Sequence, residues 1–197
     1  MSAESRETDR ERRFPLTEVA VMIGLVAIVG VFFLAMQHRT YERSYGVVCA
    51  CNLKQIYGAA MEYSDRKGTH LFPIASGQSP RAHESLNEML SADPGSLPPS
   101  VFVCPAGEAL AAVADPKGCF VLDASTLSYA WTSRRPKHST ANLTLASDKY
   151  FKGYDDSAGV HEGHPDGVNV LFMDNHVEFV QAKDLPPDTG LPDGLTR

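Results

Sequence analysis

The residues best suited to chemistry lie between Asp148 and His176. His161, His164, Asp148, Asp174 and His176 concentrate histidine and aspartate in one stretch. His161-x-x-His164 can present two imidazoles to an ion, with Asp148 or Asp174 completing the set. Imidazole and carboxylate together suit Zn²⁺ or a similar divalent ion. The same residues also suit a plain structural clasp. An aspartate at a turn caps backbone amides, and a histidine ahead of a strand can tie a connection to the sheet. On that reading His164 and Asp174 fix loop order and strand register, and no cofactor is expected. His176 belongs to a polar turn and is expected to face water.

Nothing in the chain has the pattern of an activated nucleophile. Gly-x-Ser-x-Gly, His-Glu-x-x-His and a glycine-rich phosphate loop are all missing. Ser128 and Ser147 have no base that the sequence assigns. No enzymatic activity is expected. The four cysteines fall into two pairs. Cys49 and Cys51, two apart on a helix, point about 200° apart and cannot bridge each other. Cys104 and Cys119 enclose a patternless loop, which suits either a disulfide worth about 3 kcal/mol on the loop-entropy model or two reduced thiols.

The elements that must position these residues are organised around Phe14 to Met36. From Val19 to Met36 the chain runs eighteen residues without a charge, about 27 Å of helix against the ~30 Å hydrocarbon layer of a bilayer. A core helix of a small domain rarely stays apolar around its whole circumference, and Gln37-His38-Arg39 is not a signal-peptidase site. The segment therefore reads as a membrane helix. Helical spacing then continues: Cys49, Leu53, Ile56, Ala60 and Tyr63 step by four, three, four and three along one apolar face, and Gly68 supplies the stop.

Five segments follow: a charged tail over 1–13, a transmembrane helix over 14–36, the extramembrane half of the same helix over 37–68, an α+β head over 69–182 and a loose tail over 183–197. Within the head, helices are expected at Ala82 to Ser91 and Ala106 to Ala114. Strands are expected at Cys119 to Leu122, Ser128 to Trp131, Asn142 to Ser147, Val168 to Met173 and Val177 to Val180. Asp174-Asn175-His176 reads as a hairpin turn between the last two. Val168, Val170, Phe172, Val177 and Phe179 are expected to turn together onto the long helix.

Composition excludes one class of partner. A net charge of −6 with no dense Lys/Arg block argues against nucleic acid. Arg10, Arg12 and Arg13 precede the apolar helix, which by the positive-inside bias puts the N-terminus in the cytoplasm and the head outside it.

Phe14-Pro15-Leu16-Thr17-Glu18 followed by an apolar helix resembles the N-terminal signature of type IV pilins and type II secretion pseudopilins. Four further stretches are similar to a bacterial pilin-like subfamily. They are Cys49-Ala50-Cys51-Asn52-Leu53-Lys54-Gln55-Ile56, the pair Phe102-Val103-Cys104-Pro105 and Ser128-Tyr129-Ala130-Trp131, and His164 followed after nine residues by Asp174-Asn175-His176-Val177. The resemblance covers about Phe14 to Glu178. It implies a long N-terminal helix on a small antiparallel sheet, a single pass through the inner membrane, and a structural or accessory role among other pilin-like subunits or secretion machinery.

The departures from that pattern are specific. The family's peptidase cuts after a small residue, normally glycine, ahead of the phenylalanine, and Arg13 stands there. Pro15 and Thr17 replace threonine and isoleucine, and Asn175 replaces the turn glycine. Glu18, which in assembled pilins meets a neighbour's freed amine, is retained. It also suits a helix start on electrostatic grounds alone. The alternative to assembly is a tethered extracytoplasmic binding protein, with a metal among its ligands.

Overall fold

The computed structural model describes residues 16–68, 72–77, 80–107, 109–132, 143–149, 164, 166–186 and 195–196. The charged tail over 1–13, Phe14 and His161 lie outside the described residues. The fold is α+β: one long helix and a small antiparallel sheet. The chain divides into two compact units, Met1–Thr40 and Tyr41–Arg197.

Helix α1 spans Leu16–Lys67, 52 residues. Its first part, Leu16–Gln37, is 22 residues long, and none of its most apolar window is buried within the protein. At ~1.5 Å per residue those residues reach about 33 Å, enough to cross a bilayer. The lack of burial separates this segment from the core helix of a soluble domain.

In the second unit the expected face of α1 is the face that packs. Cys49, Leu53, Ile56 and Ala60 are each fully buried, and Tyr63 packs against them from the edge. The helix stops where expected: Gly68 takes φ +62° and its N–H returns to the Asp65 carbonyl at 3.1 Å. That left-handed conformation is costly for any residue with a Cβ.

Helix α2, Ala82–Ala92, buries Ala82, Ser85, Leu86, Met89 and Leu90, a stripe at helical spacing. Its start is fixed by the Glu84 carboxylate, which accepts the Arg81 N–H at 2.9 Å. No helix forms over 109–114. Leu110 and Val113 point to solvent there, and a turn or two of helix without a buried face does not sustain itself.

The sheet comprises β1 (Tyr129–Thr132), β2 (Thr144–Asp148), β3 (Gly167–Phe172), β4 (Val177–Gln181) and β5 (Leu195–Thr196), ordered β4-β3-β2-β1-β5 and antiparallel at every pairing. Two expectations are corrected here. Cys119 to Leu122 is not a strand, because a side chain takes the place of a strand partner: Asn87 of α2 donates to the Leu122 carbonyl at 2.8 Å and accepts the Leu122 N–H at 2.9 Å. The C-terminal segment expected to be loose supplies β5, which pairs with β1, while Leu185 is buried in a small cluster.

The strand faces are also reassigned. The pairing Leu171↔Val177 and Val168↔Val180 places Val177 and Phe179 on the opposite face from Val168 and Val170. Val168 and Val170 form a separate cluster with Leu185, flanked by Phe172 and Val180. Leu171, with Val177 beside it, joins the main core with α1, and Phe179 remains 45% exposed. The three-residue turn Met173-Asp174-Asn175 sets this register, and it does not bring all five side chains together.

That turn is held locally. The Asn175 N–H returns to the Phe172 carbonyl at 3.0 Å, the His176 N–H reaches Asp174 Oδ1 at 3.1 Å, and Asn175 has φ 69°. Among the described residues Asn175 is the sole non-glycine at positive φ, and asparagine tolerates that region better than other residues with a Cβ. Asn175→Ala is expected to destabilise the fold by ~1 kcal/mol and Asn175→Gly to leave it equal or firmer, as read by urea midpoints.

The Asp174 carboxyl is held below its ordinary range by the His176 N–H and by the His176 ring, to which it is paired. Its contribution is therefore present above the ordinary carboxylate pKa and fades as pH falls through the lowered value.

Candidate metal centre

Four buried side chains from four separate segments converge in the second unit: Cys49, Cys104, Asp148 and His164. One ligand atom from each lies within 4.8 Å of all the others. Cys49 comes from the packed face of α1. Cys104 follows the 3₁₀ turn Pro99–Phe102, whose Val101 and Phe102 are buried and draw the next residues inward. Asp148 ends β2, opposite Tyr129 of β1. His164 makes an isolated bridge just before β3.

The distances are short. Cys49 and Cys104 sulfurs are 2.6 Å apart, Cys104 Sγ is 3.6 Å from His164 Nε2, and His164 Nε2 is 3.3 Å from Asp148 Oδ2. A second ring of residues steadies these groups. Asp148 Oδ2 accepts from the Asn169 backbone N–H at 2.8 Å and from Asn169 Nδ2 at 2.7 Å, and the same amide nitrogen reaches the Gly46 carbonyl of α1 at 3.2 Å. Asn52 Nδ2 donates to the Tyr129 hydroxyl at 3.1 Å, and that hydroxyl is in turn hydrogen-bonded to Cys49. Asp148 Oδ1 is buried and has no hydrogen-bond partner.

The electrostatics follow from this crowding. The Cys49 thiol donates to Cys104, which raises the Cys49 pKa, and burial raises it further. The same bond, helped by His164, lowers Cys104 to about 6 against the opposing effect of burial. Burial pulls His164 down, but hydrogen bonds to Asp148 and Cys104 outweigh it and carry the imidazole up to about 10. Burial also raises the Tyr129 hydroxyl. The cluster thus favours a thiolate at Cys104 and charge on His164.

A cysteine, a histidine and an aspartate in contact invite comparison with a nucleophile triad. The geometry argues otherwise. In a triad the carboxylate and the nucleophile meet opposite ring nitrogens, whereas here Cys104 Sγ and Asp148 Oδ2 both face Nε2. Donors sharing one point in space are arranged as ligands are. All four residues are at most 5% exposed.

The structure separates the residues singled out from sequence. Asp148 and His164 come together. Asp174 sits at the far end of β3, paired with the exposed His176. All four cysteines are free: Cys104 faces Cys49 and not Cys119, which is half-exposed with its N–H on Asp115 Oδ1. Sequence reasoning missed both cysteines of the cluster. The residue type gave little signal, because a free cysteine packs as a small hydrophobe and fits the buried stripe of α1 beside Leu53 without a partner. No protein-family model, curated protein or solved structure matches this chain.

Proposed function

We propose that this chain is a pilin-like membrane protein: anchored by the first part of α1, carrying its head on the extracytoplasmic side of a bacterial inner membrane, and acting by assembly with similar subunits or secretion machinery. The observation that carries the reading is α1 itself. One uninterrupted helix is apolar and unburied to Gln37, then becomes the buried spine of a small antiparallel head. The motifs at Phe14 to Glu18 and at His164 to Val177 support it, and Glu18 lies in the first turn of the helix.

Fractionation tests the anchor. The protein is expected to stay in membranes after a carbonate wash, with the head digested by protease only from the extracytoplasmic face. Val26→Cys, placed on the unburied part of α1, tests assembly. Oxidative cross-linking in membranes should yield dimers, and only monomers would favour the tethered binding protein instead.

Arg13 bears on the same choice. A bulky cation should not fit a peptidase pocket built for glycine, so residues 1–13 are expected to remain attached and Phe14 to be unmethylated. Intact mass of the membrane-extracted protein checks this; retained residues 1–13 would weigh toward the tethered alternative, and a mass lacking them would strengthen the assembly reading.

A further inference from the structure

We propose that Cys49, Cys104, Asp148 and His164 form a closed zinc site that fastens the long helix to the sheet. Tetrahedral Zn²⁺, with arms of ~2.0–2.3 Å, places nitrogen and oxygen ligands ~3.3–3.4 Å apart, nitrogen and sulfur ~3.5–3.6 Å apart, and two sulfurs ~3.8 Å apart. The observed separations are 3.3 Å for His164 Nε2 to Asp148 Oδ2 and 3.6 Å for His164 Nε2 to Cys104 Sγ. Two edges of the tetrahedron are therefore already in place. The third, at 2.6 Å between sulfurs, opens by ~1.2 Å when Cys49 rotates away from Cys104 to take its own corner.

Two further features point to a cation. Asp148 Oδ1 is buried without a partner, while Oδ2 is fixed by two bonds from Asn169, as an oriented carboxylate ligand should be. The donor set mixes thiolate, imidazole and carboxylate, which suits zinc over magnesium or calcium. Four protein ligands leave no open position, so the ion is structural: it joins α1, the segment after the 3₁₀ turn, the end of β2 and the residue leading into β3. This inference stands apart from the assembly reading, since the site holds whether or not the chain associates with others.

The competing chemistry for two adjacent sulfurs is a Cys49–Cys104 disulfide, and the test separates the two. Full-length protein, extracted from membranes in detergent without chelator, is expected to carry about one zinc per chain by elemental analysis. Exchange into Co²⁺ should give the intense visible bands of a tetrahedral ion with thiolate-to-metal charge transfer in the near ultraviolet. His164→Gln and Asp148→Asn should each weaken zinc retention against a competing chelator by at least ~10-fold, whereas Cys51→Ser and Cys119→Ser should retain it. Should a ligand variant fail to fold, the Co²⁺ spectrum of the unaltered protein still decides. A metal-free protein whose non-reducing peptide map links Cys49 to Cys104 would overturn the proposal. So would a Co²⁺ spectrum without thiolate bands, or zinc held equally well by His164→Gln and Asp148→Asn.

Discussion

Gly167→Ala is expected to destabilise the head by ~3 kcal/mol or more, at the upper end of what overpacking costs. A Cβ at that position would sit 2.0 Å from the Val180 carbonyl oxygen, 2.9 Å from Gln181 Cα and 3.0 Å from the Val180 carbonyl carbon. All three are backbone atoms, so no side chain can swing aside. Relief requires β3 and β4 to part where Gly167 faces Gln181, and the 2.7 Å bond from the Ala182 N–H to the Asp166 carbonyl lies at the same end. Trp131 is the sole tryptophan and is fully buried, with its Nε1 on the Pro73 carbonyl at 2.8 Å. Its fluorescence in urea therefore reports the loss. Gly58→Ala is the control: nothing lies within 4 Å of its added Cβ, and it should gain ~0.5–1 kcal/mol as an exposed helix position. Equal midpoints for Gly167→Ala and the unaltered protein would refute the close approach.

Leu53→Ala carries a comparable penalty by the opposite route. Leu53 is fully buried on the packed face of α1, within the core that includes Phe102, Tyr129 and Trp131. Truncation leaves a cavity beside a helix that cannot shift inward freely, because Asn52 and Tyr57 on the same helix bond to Val103, Tyr129 and Met173. The expected loss is ~3–5 kcal/mol, a large part of the ~5–15 kcal/mol that holds a typical domain. Val47→Ala, on the solvent side at 64% exposure, should change stability by less than ~0.5 kcal/mol. The Leu53→Ala protein should stay in the membrane fraction while its head becomes protease-sensitive. A head as resistant as that of Val47→Ala would show that the stripe is not the core.

What was legible in the sequence was periodic. The stripe Cys49, Leu53, Ile56 and Ala60 and the stop at Gly68 could be read because a helix repeats its contacts every three or four residues. Val168 to Val180 reads as a hairpin for the matching reason at period two. The faces of that hairpin were not legible, because one residue in the turn decides which apolar set meets α1. Leu195–Thr196 was hidden for another reason: two residues carry no period at all.

The candidate metal centre was half legible. His164 and Asp148 stand out as residue types. Cys49 and Cys104 are 55 positions apart, and only the docking of α1 against the segment after the 3₁₀ turn brings them together. The patternless loop between Cys104 and Cys119 suggested a bridge there, and nothing in it pointed to Cys49. The fold instead turned Cys104 inward with Phe102 and left Cys119 outside with Asp115.

The pairing of Asn87 with Leu122 makes one segment depend on the chemistry of a single amide. An amide side chain serves both backbone groups of Leu122 because it carries one donor and one acceptor on neighbouring atoms. Asparagine is also among the residues that heat and time degrade, by hydrolysis of the amide to a carboxylate. An aspartate at 87 would still accept the Leu122 N–H, but it would set a second, negatively charged oxygen against the Leu122 carbonyl. A molecule deamidated at residue 87, marked by a one-dalton gain on the peptide carrying it, should therefore loosen first in the segment around Leu122, with the helices and the sheet intact.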